Sequence, residues 1–223
     1  VLTDNVVYIY DKDDFKQNIN KLETSKIYKI LLEQDKEIPI GFYKWKRLLN
    51  FENIENKAQN KLKSVHNYLK ESNSKMFRWK LLHFILPNKV LLKQWKICQN
   101  SDCNHCNITE DYEHFFITCH FLDKFWKDIF NLLEKVKLGK HILTLKNLIW
   151  GYKINDIEYY DINFFLTVII FSIHKIHYLS EFRTKKINVF SVFKTEFRNR
   201  LVLQNNFFNH ERKGILGKLF KCI

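Results

Sequence analysis

Glycine and proline are scarce in this sequence, with 5 and 2 occurrences among 223 residues. Turn-rich β-sandwiches and barrels need both residue types at their tight turns, so the scarcity disfavours those folds. Hydrophobic residues make up 46% of the chain and aromatic residues 16%, which excludes a chain without a folded core. A mainly α-helical fold is therefore predicted.

A long uninterrupted apolar run is also missing. The most apolar stretch, Ile162–Ile173, is broken by Asn163, Thr167 and Ser172 and is shorter than the roughly 18 apolar residues that a membrane span requires. The chain begins at Val1 without a methionine or a secretory signal pattern. We therefore expect an intracellular segment of a longer protein, present in the cytoplasm and nucleus, with no membrane partner.

The signatures of common catalytic sites are absent from the sequence. Asp13 and Asp14 are not preceded by the apolar strand that carries the metal-binding aspartates of polymerases, and a solvated polar surface explains them better. The segment Gly214–Gly217 lacks the spacing and the Lys-Ser/Thr ending of a phosphate-binding loop. We expect no catalytic activity and no small-molecule substrate.

Apolar residues recur at spacings of three and four along much of the chain, which is typical of helices that bury one face. Helices are predicted at Ser25–Gln34, Met76–Leu86, Phe121–Val136, Phe164–Leu179 and Val189–Phe208. The run Val6–Tyr10 is predicted to be a short strand or the end of an element truncated upstream. The Met76–Leu86 helix should be largely buried and should be stopped by Pro87 and Asn88.

The most specific pattern in the sequence is a cluster of metal-binding residue types. Cys103, Cys106, His114 and Cys119 follow the pattern Cys, two residues, Cys, seven residues, His, four residues, Cys. Three thiolates and an imidazole match the tetrahedral preference of Zn²⁺, and four protein ligands leave no open position for a substrate. A structural zinc ion is therefore predicted.

The spacing of the last two ligands raises a geometric problem. Five residues along an ideal α-helix turn His114 and Cys119 about 140° away from each other. We therefore expect the helical turn before Cys119 to break or tighten.

Other assignments of these residues remain open. The cysteines could be reduced thiols that cluster by chance, and His105 or His120, each adjacent to a predicted ligand, could replace one ligand. Cys98 and Cys222 are predicted to play no part in the site.

The net charge of +13 and the pI near 9.4 indicate an anionic partner such as nucleic acid. An AT-rich coding sequence could also produce this lysine-rich composition without selection for binding. The candidate phosphate contacts are basic residues that look exposed, with Trp95 and His105 as possible stacking groups beside them. They are Lys75, Arg78, Lys80, Lys89, Lys93, Lys96, Arg198 and Arg200. For any single lysine, an ordinary solvated helix surface is the alternative.

The middle of the chain resembles a known family. The phrase FRWKLLHFILPNKVLLKQWKI (Phe77–Ile97) is followed by CNHC, by EDYEHFFITC, and by an aromatic-rich helix that contains Phe125 and Trp126. In this order the phrases resemble the reverse-transcriptase zinc-binding segment found downstream of the polymerase in non-LTR, LINE-type retrotransposons.

The resemblance implies a fold and a function. We expect a small zinc-held CCHC loop between two packed helices. The polar break at Glu71–Ser74 separates residues 1–74, a helical connector after the polymerase, from the zinc-binding segment 75–136, and residues 137–223 form a C-terminal helical segment. The resemblance also implies a non-catalytic module that holds template RNA or target DNA during target-primed reverse transcription, with the upstream reverse transcriptase domain as a partner. One alternative is a protein-interaction scaffold that supports the polymerase without touching nucleic acid, and another is a decayed transposon fragment.

Overall fold

The structure is a computed structural model that describes residues 8–10, 16–18, 38–50, 61, 64–65, 67–155, 157–182, 188–205 and 215–223. The chain divides into two compact units, Val1–Pro39 and Ile40–Ile223. The division into segments 1–74, 75–136 and 137–223 that the sequence suggests remains a prediction.

The first unit contains a short antiparallel hairpin. Strand β1 (Tyr8–Tyr10) pairs with strand β2 (Lys16–Asn18), and Ile9 lies opposite Gln17. The predicted strand at Val6–Tyr10 is confirmed over its last three residues. The helix predicted at Ser25–Gln34 lies outside the described residues.

The second unit is built mainly from helices, which confirms the predicted fold class. The helices are α1 (Ile40–Leu49), α2 (Ser72–Leu82), α3 (Lys89–Gln94), α4 (Asp123–Lys135), α5 (Leu145–Trp150), α6 (Tyr160–Phe182), α7 (Val189–Asn205) and α8 (Ile215–Cys222). An antiparallel hairpin connects α5 to α6. Each of its strands, β3 (Lys153–Ile154) and β4 (Ile157–Glu158), has two residues.

Helix α6 forms the centre of this unit. It packs against α2, α5, α7 and α8, and every residue from Ile162 to Ile170 is buried. A helix surrounded by other helices is apolar on all sides, which explains why this segment is the most apolar in the sequence. Among the described residues, no helix combines the length and the apolar character needed to cross a membrane.

Aromatic side chains join α4, α6 and α7. Phe193 and Phe197 of α7 are fully buried. The ring of Phe193 lies 5.9 Å from Phe165 of α6 and 6.0 Å from Phe125 of α4, measured between ring centres. Both pairs meet edge to face, a favoured aromatic geometry. These contacts fix α4, the helix that follows the predicted metal ligands.

Helix α2 differs from its prediction in position and burial. It ends at Leu82, four residues before the predicted end, because Phe84 adopts a left-handed conformation with a φ of 59°. The Phe84 and Ile85 amides donate to the carbonyls of Leu81 and Lys80, which closes a Schellman motif. The aromatic ring of Phe84 lies 4.7 Å from Trp45 of α1, so packing between helices ends α2.

One side of α2 is exposed, so the prediction of a largely buried helix is correct only in part. Met76 is 54% exposed and Trp79 is 43% exposed, while Phe77 and Leu81 are buried.

Candidate metal centre

The first two cysteines lie in a tight loop closed by backbone hydrogen bonds. Asp102 and Thr109 pair as an antiparallel bridge, and the Cys103 amide donates to the Ile108 carbonyl at 2.8 Å. Asn107 has a φ of 53° and donates its amide to the Cys103 carbonyl at 2.9 Å. Asparagine tolerates this left-handed conformation better than most residues. The turn places Cys103 and Cys106 on the same side of the loop.

The last two ligands are brought together by a π-helical turn. Residues His114–Thr118 form this turn, and the Cys119 amide donates to the His114 carbonyl at 3.0 Å, a bond from residue i+5 to residue i. The wider turn removes most of the 140° separation expected in an α-helix. The prediction that the turn breaks or tightens before Cys119 is confirmed as a break, since Cys119 is extended with a ψ of 121°. The turn that precedes the break is wider than an α-helical turn.

The four predicted ligands form one cluster. Their ligand atoms all lie within 4.8 Å of one another. The Sγ atom of Cys119 lies 3.7 Å from that of Cys103 and 3.6 Å from that of Cys106. Two sulfurs bound to one tetrahedral zinc ion at about 2.3 Å are separated by about 3.8 Å. The sulfur positions therefore fit a zinc ion.

The histidine of the cluster has an unsatisfied nitrogen. Nε2 of His114 is buried and has no hydrogen-bond partner within the described part of the chain, while Nδ1 lies 3.5 Å from the Thr118 hydroxyl. A buried polar atom without a partner is rare in folded proteins. Coordination of zinc through Nε2 would satisfy it and would leave Nδ1 to Thr118.

The buried environment favours the neutral forms of these groups when no cation is present. Burial raises the pKa of the Cys103 and Cys119 thiols and lowers the pKa of His114. Zinc reverses this preference for the thiols, because its positive charge stabilises thiolates. Four protein ligands without a carboxylate form a closed coordination shell, so the centre is a structural zinc site.

The residues considered as substitute ligands lie outside the cluster. The exposed ring of His105 stacks on Phe121 with 4.2 Å between ring centres, and His120 lies beside Asp123. Cys98 contacts the Asn100 carbonyl oxygen at 3.0 Å, and Cys222 lies exposed at the end of α8.

Two residues that the sequence pattern does not single out attach the metal loop to the preceding helices. The Glu110 carboxylate accepts from the Lys89 amide at 3.0 Å, at the start of α3. The Tyr112 hydroxyl donates to the Leu86 carbonyl at 2.7 Å. Glu110 and Tyr112 are both buried. The only feature of the sequence that hints at this role is the position of Tyr112, two residues before the predicted ligand His114.

Arg78 and Arg200 require a correction, because both were predicted as exposed phosphate contacts and both are buried. Arg78 is 1% exposed and donates to the carbonyls of Leu148 and Ile149 at the end of α5. Such contacts satisfy carbonyls that a helix end leaves without partners.

Arg200 is held by two carboxylates. It forms ion pairs with Glu71 and Glu196, and its guanidinium carbon lies 3.7 Å from the ring centre of Phe171. Burial lowers the pKa of Arg200 to about 10, so it remains charged at neutral pH. In this conformation neither Arg78 nor Arg200 is available to a phosphate.

The other predicted cations are more accessible. Lys80, Lys93, Lys96 and Arg198 are exposed, and Lys75 and Lys89 are half-buried. Arg198 donates to the Ile223 carbonyl at 3.0 Å, which connects α7 to the residue after α8. The accessible lysines lie on or directly after α2 and α3, the two helices that precede the metal loop.

Comparison with known families agrees with this site. The family model described as zinc-binding in reverse transcriptase matches residues 23–126, a range that contains all four ligands. No curated protein and no solved structure gives a significant match. Residues 23–126 are therefore similar to the zinc-binding segment associated with reverse transcriptases.

Proposed function

We propose that this chain is the nucleic-acid-binding C-terminal module of a non-LTR, LINE-type retrotransposon reverse transcriptase. It helps to hold template RNA or target DNA during target-primed reverse transcription, in the cytoplasm and nucleus. The module catalyses no reaction by itself, and its partners are the nucleic acid and the upstream reverse transcriptase domain of the same polyprotein. The zinc ion has a structural role in this module.

The observation that carries this proposal is the attachment of a lysine-bearing helix to the zinc loop. Lys89 and Lys93 are four residues apart on α3 and therefore lie on the same side of that helix. Glu110, which directly follows the loop, holds the first turn of α3 by two hydrogen bonds. Its carboxylate accepts from the Lys89 amide and its backbone carbonyl accepts from the Val90 amide. Zinc would thus fix the position of these cations.

The charge of the whole chain supports the same partner. Lysines that neutralise phosphates release counterions, and this release favours binding at low salt. A net charge of +13, with the exposed lysines Lys80, Lys93 and Lys96 around the metal loop and the exposed Trp95 beside them, provides this driving force.

Binding across a salt series tests the proposal. We would measure fluorescence anisotropy of a labelled structured RNA, a single-stranded DNA and a duplex DNA with the zinc-loaded 223-residue chain and with the chelated chain. We expect binding to at least one of them, a fall in affinity as salt rises, and weaker binding after chelation. Absence of binding to all three at low salt would overturn the proposal.

A second candidate function is a protein-interaction scaffold, and exposed apolar side chains on α1 favour it. Ile40 is 75% exposed, and Tyr43 and Leu48 are also exposed. Exposed apolar side chains grouped on one helix are found at contact sites between proteins. If this function is correct, Leu48→Glu should reduce binding to the upstream polymerase domain of the same polyprotein while binding to nucleic acid stays unchanged.

A further inference from the structure

A groove with a volume of about 840 Å³ lies beside the zinc loop. Helices α2 and α6 form two of its walls, and Asn104 and His105, which lie between the first two zinc ligands, form part of a third. Pockets that bind ligands commonly have volumes of roughly 300–1,000 Å³, so the volume of this groove is in the range of a ligand-binding site. Its shape depends on the zinc loop, because Asn104 and His105 are held between Cys103 and Cys106.

Flat aromatic surfaces border this groove. Tyr178 of α6 is 61% exposed. His105 is exposed, and its ring is held nearly parallel to Phe121, with an angle of 6° between the planes. Exposed rings that are held in place are suitable platforms for stacking nucleic-acid bases.

The charges that the groove presents to solvent are positive. Its two carboxylates are buried and already engaged: Glu110 accepts from the Lys89 amide, and Glu196 accepts from Lys175 and Arg200. The Lys175 side chain is still 44% exposed.

Lys80 is the most available cation of the groove. It lies on the same face of α2 as Asn73, Met76 and Phe77, at helical spacings of seven, four and three, and this face lines the groove. Its side chain is exposed, and within the described residues it forms no ion pair. A phosphate entering the groove would meet Lys80 without displacing a carboxylate.

We propose that this groove binds an unpaired stretch of a polynucleotide, with phosphates at Lys80 and Lys175 and bases against Tyr178 and His105. This inference rests on the proposed nucleic-acid function and adds the site and the kind of strand. A duplex keeps its bases stacked inside the helix, so aromatic rings in a groove favour a single strand. RNA and DNA single strands share the required chemistry.

Two groove variants and two matched controls test this site in the zinc-loaded 223-residue chain. Tyr178→Ala and Lys80→Gln change the groove, while Tyr43→Ala and Lys127→Gln make the same changes at exposed positions outside it. The probes are a uridine decamer, a deoxythymidine decamer and a duplex DNA, each followed by anisotropy at several salt concentrations.

We expect Tyr178→Ala to weaken binding of at least one decamer by about fivefold or more, since stacking on one aromatic ring contributes at least this much. Lys80→Gln should reduce the steepness of the salt dependence by about 0.7 in log–log slope, the value for one phosphate contact of a single strand. The controls should bind like the wild type. The decamer that responds shows whether the strand is RNA or DNA.

Three results would overturn the groove assignment. If the wild-type chain binds nucleic acid but the groove variants bind like their controls, the site is wrong and the proposed function stands. Equal weakening for duplex and decamers would contradict the single-strand preference. If the wild-type chain binds none of the probes, the proposed function itself fails, and the groove assignment fails with it.

Cross-linking of the wild-type chain makes the test independent of variants that fold poorly. A decamer carrying 4-thiouridine is irradiated with the zinc-loaded protein, and the adducts are located by mass spectrometry. Adducts at Tyr178 or His105 are expected. Adducts confined to α1 and α4, which do not line the groove, would overturn the proposal.

Discussion

Arg78 shows how a residue's contacts decide between a functional and a structural role. It lies on α2 between Lys75 and Lys80, and its sequence neighbourhood is that of an exposed basic surface. Its guanidinium instead donates to the carbonyls of Leu148 and Ile149, which are about 70 residues away along the chain. A contact over this distance cannot be predicted from local sequence. Arg78 therefore belongs to the packing of α2 against α5.

Arg78→Ala should lower the stability of the protein. The substitution leaves two carbonyls at the end of α5 buried without their donors, at a cost of about 1–3 kcal/mol in the free energy of unfolding. Urea unfolding of the zinc-loaded protein measures this difference. Lys80→Ala is the control, because Lys80 is exposed on the same helix and its loss should change stability little. Equal unfolding midpoints for both variants would contradict the structural role of Arg78.

The zinc ligands could be identified from the sequence because residue type and spacing together restrict the possible chemistry. The pattern could not show that a π-helical turn carries His114, since that geometry depends on the hydrogen bond from Cys119 and on packing against α6. Nor could it show that Glu110 and Tyr112 attach the loop to neighbouring segments.

Cys119→Ser should abolish stable zinc binding. Cys119 is fully buried, and its Sγ atom lies within 3.7 Å of the other two ligand sulfurs, so the substitution removes one of the four zinc ligands. The zinc content of purified protein, measured by mass spectrometry, should fall from one ion per zinc site to a small fraction of that value. Cys98→Ser is the matched control and should retain its zinc, because Cys98 lies outside the cluster. Full occupancy in Cys119→Ser would show that the ligand set is wrong.

At the scale of elements, helices with a strong apolar periodicity were predicted well and their ends were not. Helices α4, α6 and α7 lie within a few residues of the predicted segments. The end of α2 depends on Phe84, whose ring packs against Trp45 and Tyr112. The helix therefore ends before Pro87 is reached, because the Phe84 ring gains contacts with these side chains by leaving the helix.

The contact between α1 and α2 depends on a glycine. A Cβ atom on Gly41 would lie 2.1 Å from the carbonyl oxygen of His83, a backbone atom that cannot rotate away. The Trp45 indole also donates to the Leu81 carbonyl at 2.9 Å, which holds the two helices at this short distance.

Gly41→Ala should therefore destabilise the protein, although alanine normally stabilises a helix relative to glycine. We expect a loss of about 1–3 kcal/mol, the usual cost of overpacking, measured by urea unfolding. Gly139→Ala is the control, because its Cβ would meet only the ring of His141, an exposed side chain that can move. A stability gain in Gly41→Ala would contradict the close approach of α1 to α2.

At the scale of the whole molecule, the zinc loop links several parts of the second unit. Glu110 holds α3, Tyr112 holds the segment after α2, and the π-helical turn packs against α6. His105, inside the loop, borders the groove. A zinc ion can contribute about 10–16 kcal/mol to the folding of small sites, more than any of these contacts alone. Loss of zinc should consequently alter the surface that carries the lysines and the aromatic rings.

The most direct test of this account is a zinc titration of the chelated 223-residue chain, with decamer binding and bound zinc measured in the same samples. We predict that decamer binding rises in proportion to the occupied zinc site and reaches the level of the untreated protein when that site is filled. Decamer binding that is already complete in the metal-free protein, and does not change as zinc is added, would contradict the claim that zinc organises the nucleic-acid surface.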